Sequence, residues 1–191
     1  VIRAEGGTND PNEYLWLAHT ANNCLQTSCQ SNPGGSLLSL LSTQYSTPPA
    51  AAKTALSPEN GSIQANAARA GLISVLTGGA DPTSGAAFWD GTDFILRGRA
   101  HPKFSQNDSV VIREDILNSY TNSQGASSLR LNGQRYVNPN PFFAANKGSW
   151  TVDGNPESGF VYRKNRGKGI LYATGAVGRS IFWTKNIRWT K

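Results

Sequence analysis

SIQANAARAGLISVLTGGADPTSGAAFW, residues 62–89, is the stretch on which the reading of this chain turns. Ile63, Ala67, Ala70, Ile73 and Leu76 recur every three or four residues, the period of one helix face, and Gly78 and Gly79 stop the helix. Directly behind the stop, Asp81-Pro82-Thr83 opens a turn closed by Gly85 and Ala86, where an aspartate is suited to holding backbone amides. The turn delivers an aromatic pair, Phe88 and Trp89, fit either for the core or for stacking on a sugar ring. Asp90 and Asp93 follow in "DGTD", as turn punctuation or as contacts to polar ligand groups.

Upstream, "DPNEYLWLAHTANNCL" carries a helix-start signal: Asp10 as N-cap, Pro11 at the first helical position and Glu13 three residues on, completing a capping box. Before it, residues 1–6 read as the end of a first helix, broken by "GGTN". A helix that stops directly after Glu5 presents that carboxylate to whatever lies beyond, as a cleft acid is mounted. Downstream, residues 31–59 are rich in Ser, Pro and Gly around "SLLSLLSTQY", a short helix or packed loop. Between 97 and 160 "DSVVIREDILNSY" reads as a helix. From Phe160 the alternation of Tyr, Phe, Trp, Val and Ile between glycines predicts two or three short strands. No internal repeat or heptad pattern is present.

With 191 residues, 38% of them hydrophobic, the chain suffices for one well-filled core, or one domain with a large insertion. No run of eighteen apolar residues is present, so no membrane insertion is expected, and no leader peptide is read. The absence of methionine and a functional first turn suggest a domain excised from a longer protein. A net charge of +6 and a pI near 9.6 favour a polyanionic partner: nucleic acid, anionic lipid or an acidic wall polymer. Much of the excess lies late, in Arg163, Lys164, Arg166, Lys168, Arg179, Lys185, Arg188 and Lys191; a solvated strand surface accounts for it equally. Trp183 and Trp189 among these cations either stack on sugars or bases or fill the core. Cys24 and Cys29 lack the further ligands of a zinc site and form either a local disulfide, suited to an oxidising compartment, or two thiols.

Histidine is scarce, with only His19 and His101, and HExxH, paired CxxC, Walker and GxGxxG motifs are missing. Histidine-based hydrolysis, metal chemistry and nucleotide chemistry therefore lose support. A carboxylic acid in an apolar cleft needs no such partner: desolvation keeps it protonated near neutrality, ready to protonate a glycosidic oxygen.

Three stretches, "VIRAEGGTNDPNEYLWLAHTANN", "ANAARAGLISVLTGGADPTSGAAFW" and "AVGRSIFW", resemble in order three blocks of the bacterial cell wall hydrolase family that includes the spore-cortex-lytic enzymes. In that family a helix ends on a glutamate followed by small residues, and a second helix ends with an asparagine. A third runs into a Gly-x-x-Asp-Pro-Thr-x-Gly-Ala turn, and a Gly-x-His-x-Phe-Tyr strand closes the chain. Here Glu5 takes the glutamate position, Asn22 or Asn23 the asparagine, Gly79 to Trp89 the turn and "GRSIFW" the closing strand. The matched stretches cover roughly 55 to 60 of 191 residues and bracket the chain; the turn is the most specific. The chain is also similar to lysozyme-type domains at the C-terminal ends of secreted antibacterial effectors, such as type VI secretion effectors.

The resemblance implies a single lysozyme-like α+β domain over residues 1–191, with a mainly helical core, a short β-sheet and a long insertion at about 97–169. It implies cleavage of the β-1,4 bond between N-acetylmuramic acid and N-acetylglucosamine, with Glu5 as general acid and no cofactor or metal. A second carboxylate would direct the reaction to hydrolysis; without one, the muramyl 6-hydroxyl attacks and a lytic transglycosylase leaves 1,6-anhydro ends. Candidates for it are Asp10, Glu13, Asp81, Asp90 and Asp93, against helix-start roles for Asp10 and Glu13 and a turn role for Asp81; Thr8 and Asn9 are near enough to Glu5 to orient water. Asn22, Asn23, Asp81, Thr83, Phe88, Trp89, Asp90 and Asp93 are the expected substrate contacts. Peptidoglycan strands are the expected partner, with an immunity protein if the chain is an effector, acting as a monomer in the periplasm or cell wall. Two departures stand out: Ser180 replaces the usual histidine, and the 97–169 segment is longer than the family's connection. The rival readings are a non-catalytic peptidoglycan-binding module and, last, a nucleic-acid binder resting on charge alone, so no nucleic-acid partner is expected.

Overall fold

The structure, a computed structural model, describes residues 1–27, 29, 35–43, 61–97, 101–106, 109–124, 130–131, 134–135, 159–163 and 170–186. Among them are helices α1 (Ile2–Glu5), α2 (Pro11–Thr27), α3 (Leu37–Thr43), α4 (Ile63–Leu76), α5 (Thr92–Arg97), α6 (Pro102–Gln106) and α7 (Glu114–Gln124). The strands are β1 (Phe88–Asp90), β2 (Ser109–Arg113), β3 (Arg130–Leu131), β4 (Gln134–Arg135), β5 (Gly159–Arg163), β6 (Ile170–Val177) and β7 (Ser180–Asn186). The class is α+β, built on a five-stranded mixed sheet of order β1-β7-β6-β2-β5, with β2 and β6 parallel and the other pairs antiparallel; β3 and β4 form a separate ribbon. Lys164, Arg166, Lys168, Arg188, Trp189 and Lys191 lie outside the described residues.

Successive residues of a strand face opposite sides of a sheet, and β7 uses this to feed two cores. Ile181 and Trp183 enter a cluster with Phe94, Val110, Ile112, Ile116, Leu117, Tyr120 and Leu171 on the α5 and α7 side. Phe182 between them enters the other, with Ile2, Tyr14, Leu17, Ala18, Ala21, Ala67, Ala68 and Ala86 on the α2 and α4 side. Trp183 is fully buried, which assigns it to the core rather than to stacking on a ligand.

The helix expected at 63–76 is present, but its buried face is not the one its periodicity indicates. Ile63, Ile73 and Leu76 are 62%, 59% and 75% exposed, whereas Ala65, Ala67, Ala68 and Gly71 are buried. The reason is close approach: a Cβ on Gly71 would stand 2.7 Å from the Tyr14 carbonyl oxygen and 3.2 Å from the Leu15 Cα. Only small residues let α4 lie against the α2 backbone. In an open helix Gly→Ala would gain about 1 kcal/mol. Here overpacking costs about 1–3 kcal/mol and wins. Gly71→Ala is therefore expected to lower the urea midpoint, and an unchanged or raised midpoint would show that the helices can part at little cost.

The second correction falls on "DSVVIREDILNSY". Its β-branched front half, Ser109–Arg113, is strand β2, paired to both β5 and β6; only Glu114 onward is helical. The long 97–169 segment thus contributes an inner strand to the main sheet. Cys24 and Cys29 form a disulfide, with Cα atoms 4.9 Å apart, that turns the chain at the end of α2.

Candidate active site

α1 ends at Glu5, and Gly6 leaves the helix in an extended conformation (φ −72°, ψ 131°). A Cβ on Gly6 would fall 2.2 Å from the ring of the fully buried Tyr14, so glycine is required where the chain passes over that ring. Glu5 is half-buried, and the Trp89 indole N–H donates to its Oε2 at 3.3 Å. Burial pushes the Glu5 carboxyl above its ordinary value, and nearby Asp93 adds to the rise; the Trp89 hydrogen bond opposes it. The Glu5 carboxyl thus keeps its proton to higher pH than an exposed glutamate does, beside an indole.

The residues after Glu5 form a braced turn. Gly7 N–H, Thr8 N–H and the Thr8 hydroxyl donate to Glu13 Oε2 at 3.0, 2.9 and 2.8 Å, and Tyr14 OH donates to the Thr8 carbonyl at 2.7 Å. Arg179 N–H and the Ser180 hydroxyl donate to Glu13 Oε1, both at 2.9 Å. Glu13 is fully buried and joins the turn behind Glu5 to the β6–β7 hairpin. This differs from the expected capping box: Asp10 Oδ1 caps Asn12 N–H at 2.9 Å, while the Glu13 carboxylate reaches Gly7 and Thr8 instead of the Asp10 amide. Gly178 completes the joint at φ +59°, and a Cβ there would meet the Glu13 carboxylate at 2.5 Å. Asn9 Oδ1 accepts from Gln64 Nε2, and Gln64 Oε1 accepts from Arg3, binding the turn to α4. Thr8, Asn9, Asp10 and Glu13 thus spend these groups on the turn.

The Asp-Pro-Thr turn is equally self-contained. Asp81 accepts from Thr83 N–H, the Thr83 hydroxyl and Gly85 N–H, which outweigh its burial and lower its pKa. Asn23 Nδ2, on α2, lies 2.9 Å from Asp81 Oδ2, 3.1 Å from Thr83 Oγ1 and 3.0 Å from the Ala86 carbonyl, fixing the route of the chain into β1. Asn22 is half-buried on the same helix. His19, whose pKa burial lowers, bridges α2 and α4 through Ser74 Oγ at 3.1 Å.

Asp90 and Asp93 meet around a residue that sequence reasoning set aside. His101 Nε2 lies 3.0 Å from Asp93 Oδ2 and 3.5 Å from Asp90 Oδ1, its ring against Phe94. Lys103 Nζ stands 3.7 Å from Asp90 Oδ2 and over the Phe88 ring at 4.9 Å. No local motif marks His101, because an extended chain can hold partners eight residues apart as much as about 26–29 Å from one another, and only the fold brings them together. The two carboxylates differ sharply. Asp93, with a half-exposed side chain, is held below the usual range, first by the His101 hydrogen bond. Asp90, with an 11% exposed side chain, is pushed up to about 6 by burial, which outweighs Lys103 and His101.

The Asp90 shift has a consequence for stability. The folded chain retains a proton between about pH 4 and about 6 that the unfolded chain has shed, so this group weakens the fold as pH rises through that window. Asp90→Asn is expected to gain stability relative to the parent on going from near pH 4 to near pH 7. Urea unfolding at both values checks this; an equal difference at the two would refute it.

Comparison with protein-family models finds no match, and none is found among curated proteins or solved structures. Among the described residues, no helix is long and apolar enough to cross a membrane and no His, Cys, Asp and Glu cluster is fit to hold a metal ion. What the site offers is carboxylate chemistry: a half-buried acid with a raised pKa and a half-exposed carboxylate held ionised.

Proposed function

We propose that this chain cleaves peptidoglycan glycan strands at the β-1,4 bond between N-acetylmuramic acid and N-acetylglucosamine, with Glu5 as general acid. The observation that carries the reading is the Glu5 carboxyl itself, raised by burial at a helix end and held by Trp89. Such a group protonates the leaving oxygen of a glycosidic bond without metal or cofactor. The resemblance of the three sequence blocks to the cell wall hydrolases supplies the substrate, and a lysozyme-like arrangement of the fold is part of the same proposal. So is delivery to the periplasm or cell wall as an antibacterial effector; the Cys24–Cys29 disulfide accords with an oxidising compartment.

Mass spectrometry of soluble products from purified peptidoglycan tests the reading. Muropeptides with reducing ends are the expected products. Anhydro ends would make the chain a lytic transglycosylase. Binding to the sacculus with no release would leave a peptidoglycan-binding module.

A further inference from the structure

Of the acids considered for a second role, four are committed elsewhere. Asp10 caps α2, Glu13 is fully buried with both oxygens accepting hydrogen bonds, Asp81 is ringed by its own turn, and Asp90, at the end of β1, has a side chain only 11% exposed. Asp93 alone among them combines an accessible side chain, 51% exposed, with a fixed orientation, its Oδ2 3.0 Å from His101 Nε2.

Asp93 is also mounted on the same piece of backbone as Glu5. The tip of the β6–β7 hairpin, Gly178–Arg179, is gripped from two sides. Arg179 N–H donates to Glu13, which holds Gly7 and Thr8 directly behind Glu5. The Arg179 carbonyl accepts from Gln124 Nε2 at 3.1 Å, and Gln124 Oε1 accepts from the Thr92 hydroxyl at 2.8 Å, directly before Asp93. Tyr120 OH fixes the Gly91 carbonyl of the same turn at 2.6 Å. Trp89, four residues before Asp93, reaches Glu5 directly. Both carboxylates are therefore tied to one residue of the hairpin, and the charge of Asp93 adds to the rise of the Glu5 carboxyl.

We propose that Asp93, held by His101, is the base that activates the attacking water in the reaction for which Glu5 is the acid. The inference rests on the glycan-cleavage reading above. In the step, the Asp93 carboxylate takes a proton from water as the water oxygen bonds to the anomeric carbon. The bond from that carbon to the leaving oxygen breaks, and the leaving oxygen takes the Glu5 proton. One water is consumed, Asp93 ends protonated and Glu5 ionised, and solvent returns both to their starting states. Displacement from the face opposite the leaving group inverts the anomeric centre.

The deciding experiment compares wild type, Asp93→Asn and Asp93→Ala on purified peptidoglycan, with circular dichroism of each protein and NMR of the anomer first released. Expected are inverted anomers from wild type, a loss of about 100-fold or more in Asp93→Asn with its fold retained, and partial recovery of Asp93→Ala by added formate. Should Asp93→Asn not fold, Asp93→Ala with and without formate decides. A variant cleaving within a few-fold of wild type, a retained anomer or an anhydro product would overturn Asp93 as water base while leaving Glu5 as acid. No cleavage by wild type would overturn the glycan-cleavage reading and this inference with it.

Discussion

Glu5→Gln is expected to lower the rate of glycan-strand cleavage by about 10²–10⁴-fold, the usual contribution of a positioned general acid. Glutamine keeps the size of the side chain and its acceptor for the Trp89 indole, so the loss measures the proton rather than the packing. The pH dependence separates the two further. Burial raises the Glu5 pKa, so the protonated, active form persists above the ordinary glutamic acid range, and the alkaline limb of the wild-type profile lies above that range. Residual activity in Glu5→Gln should lack this limb. Stability moves the other way. A carboxyl with a raised folded pKa weakens the fold as pH rises through that value, so the neutral amide should leave stability at neutral pH unchanged or higher. Loss of activity together with loss of stability would make Glu5 structural, and full activity would remove it from the mechanism.

Glu13→Ala is expected to be the most destabilising single change, by about 3–5 kcal/mol. The carboxylate is fully buried and accepts five hydrogen bonds, three of them from backbone N–H groups of Gly7, Thr8 and Arg179 that cannot turn away. Against a typical total of about 5–15 kcal/mol, such a loss threatens folding itself. Glu13→Gln should cost less, about 1–3 kcal/mol, because the amide nitrogen can face Oε1's partners, where Ser180 can rotate to accept and Arg179 N–H alone is left unpaired. Urea unfolding of the parent and both variants measures this. A Glu13→Ala loss below about 1 kcal/mol would mean that water replaces the carboxylate without penalty.

Local chemistry made much of this legible. Asp10-Pro11 marks the start of α2, and Gly78 ends α4 at φ +75° as a helix-stopping glycine does. Glu5 stands where a helix closing on two glycines puts it. What escaped reading depends on partners distant in sequence. On α4, hydrophobic periodicity favours isoleucine over alanine, while the proximity of the α2 backbone favours alanine and Gly71. β2 carries no boundary signal in the sequence, because its Val-Val-Ile run passes without a break residue into the helix at Glu114. Glu13 matched a capping box within four residues, and nothing local could reveal acceptance from Arg179 and Ser180. The Ser180 hydroxyl in the closing strand donates to that carboxylate.

The bonds from Arg179 and Ser180 to Glu13 span 166 and 167 residues, and β1 reaches its partner only across Phe88↔Trp183 and the neighbouring pairs. Contacts so distant along the chain are slow to form. Glu5 lies far ahead of the β6–β7 hairpin in the chain, yet the turn behind it is complete only once that hairpin has arrived. Until that hairpin docks, Gly7 and Thr8 lack the anchor that fixes the turn behind Glu5. In the proposed reaction Glu5 would gain its surroundings only once β7 is in place, because β7 also pairs with β1, the strand that carries Trp89.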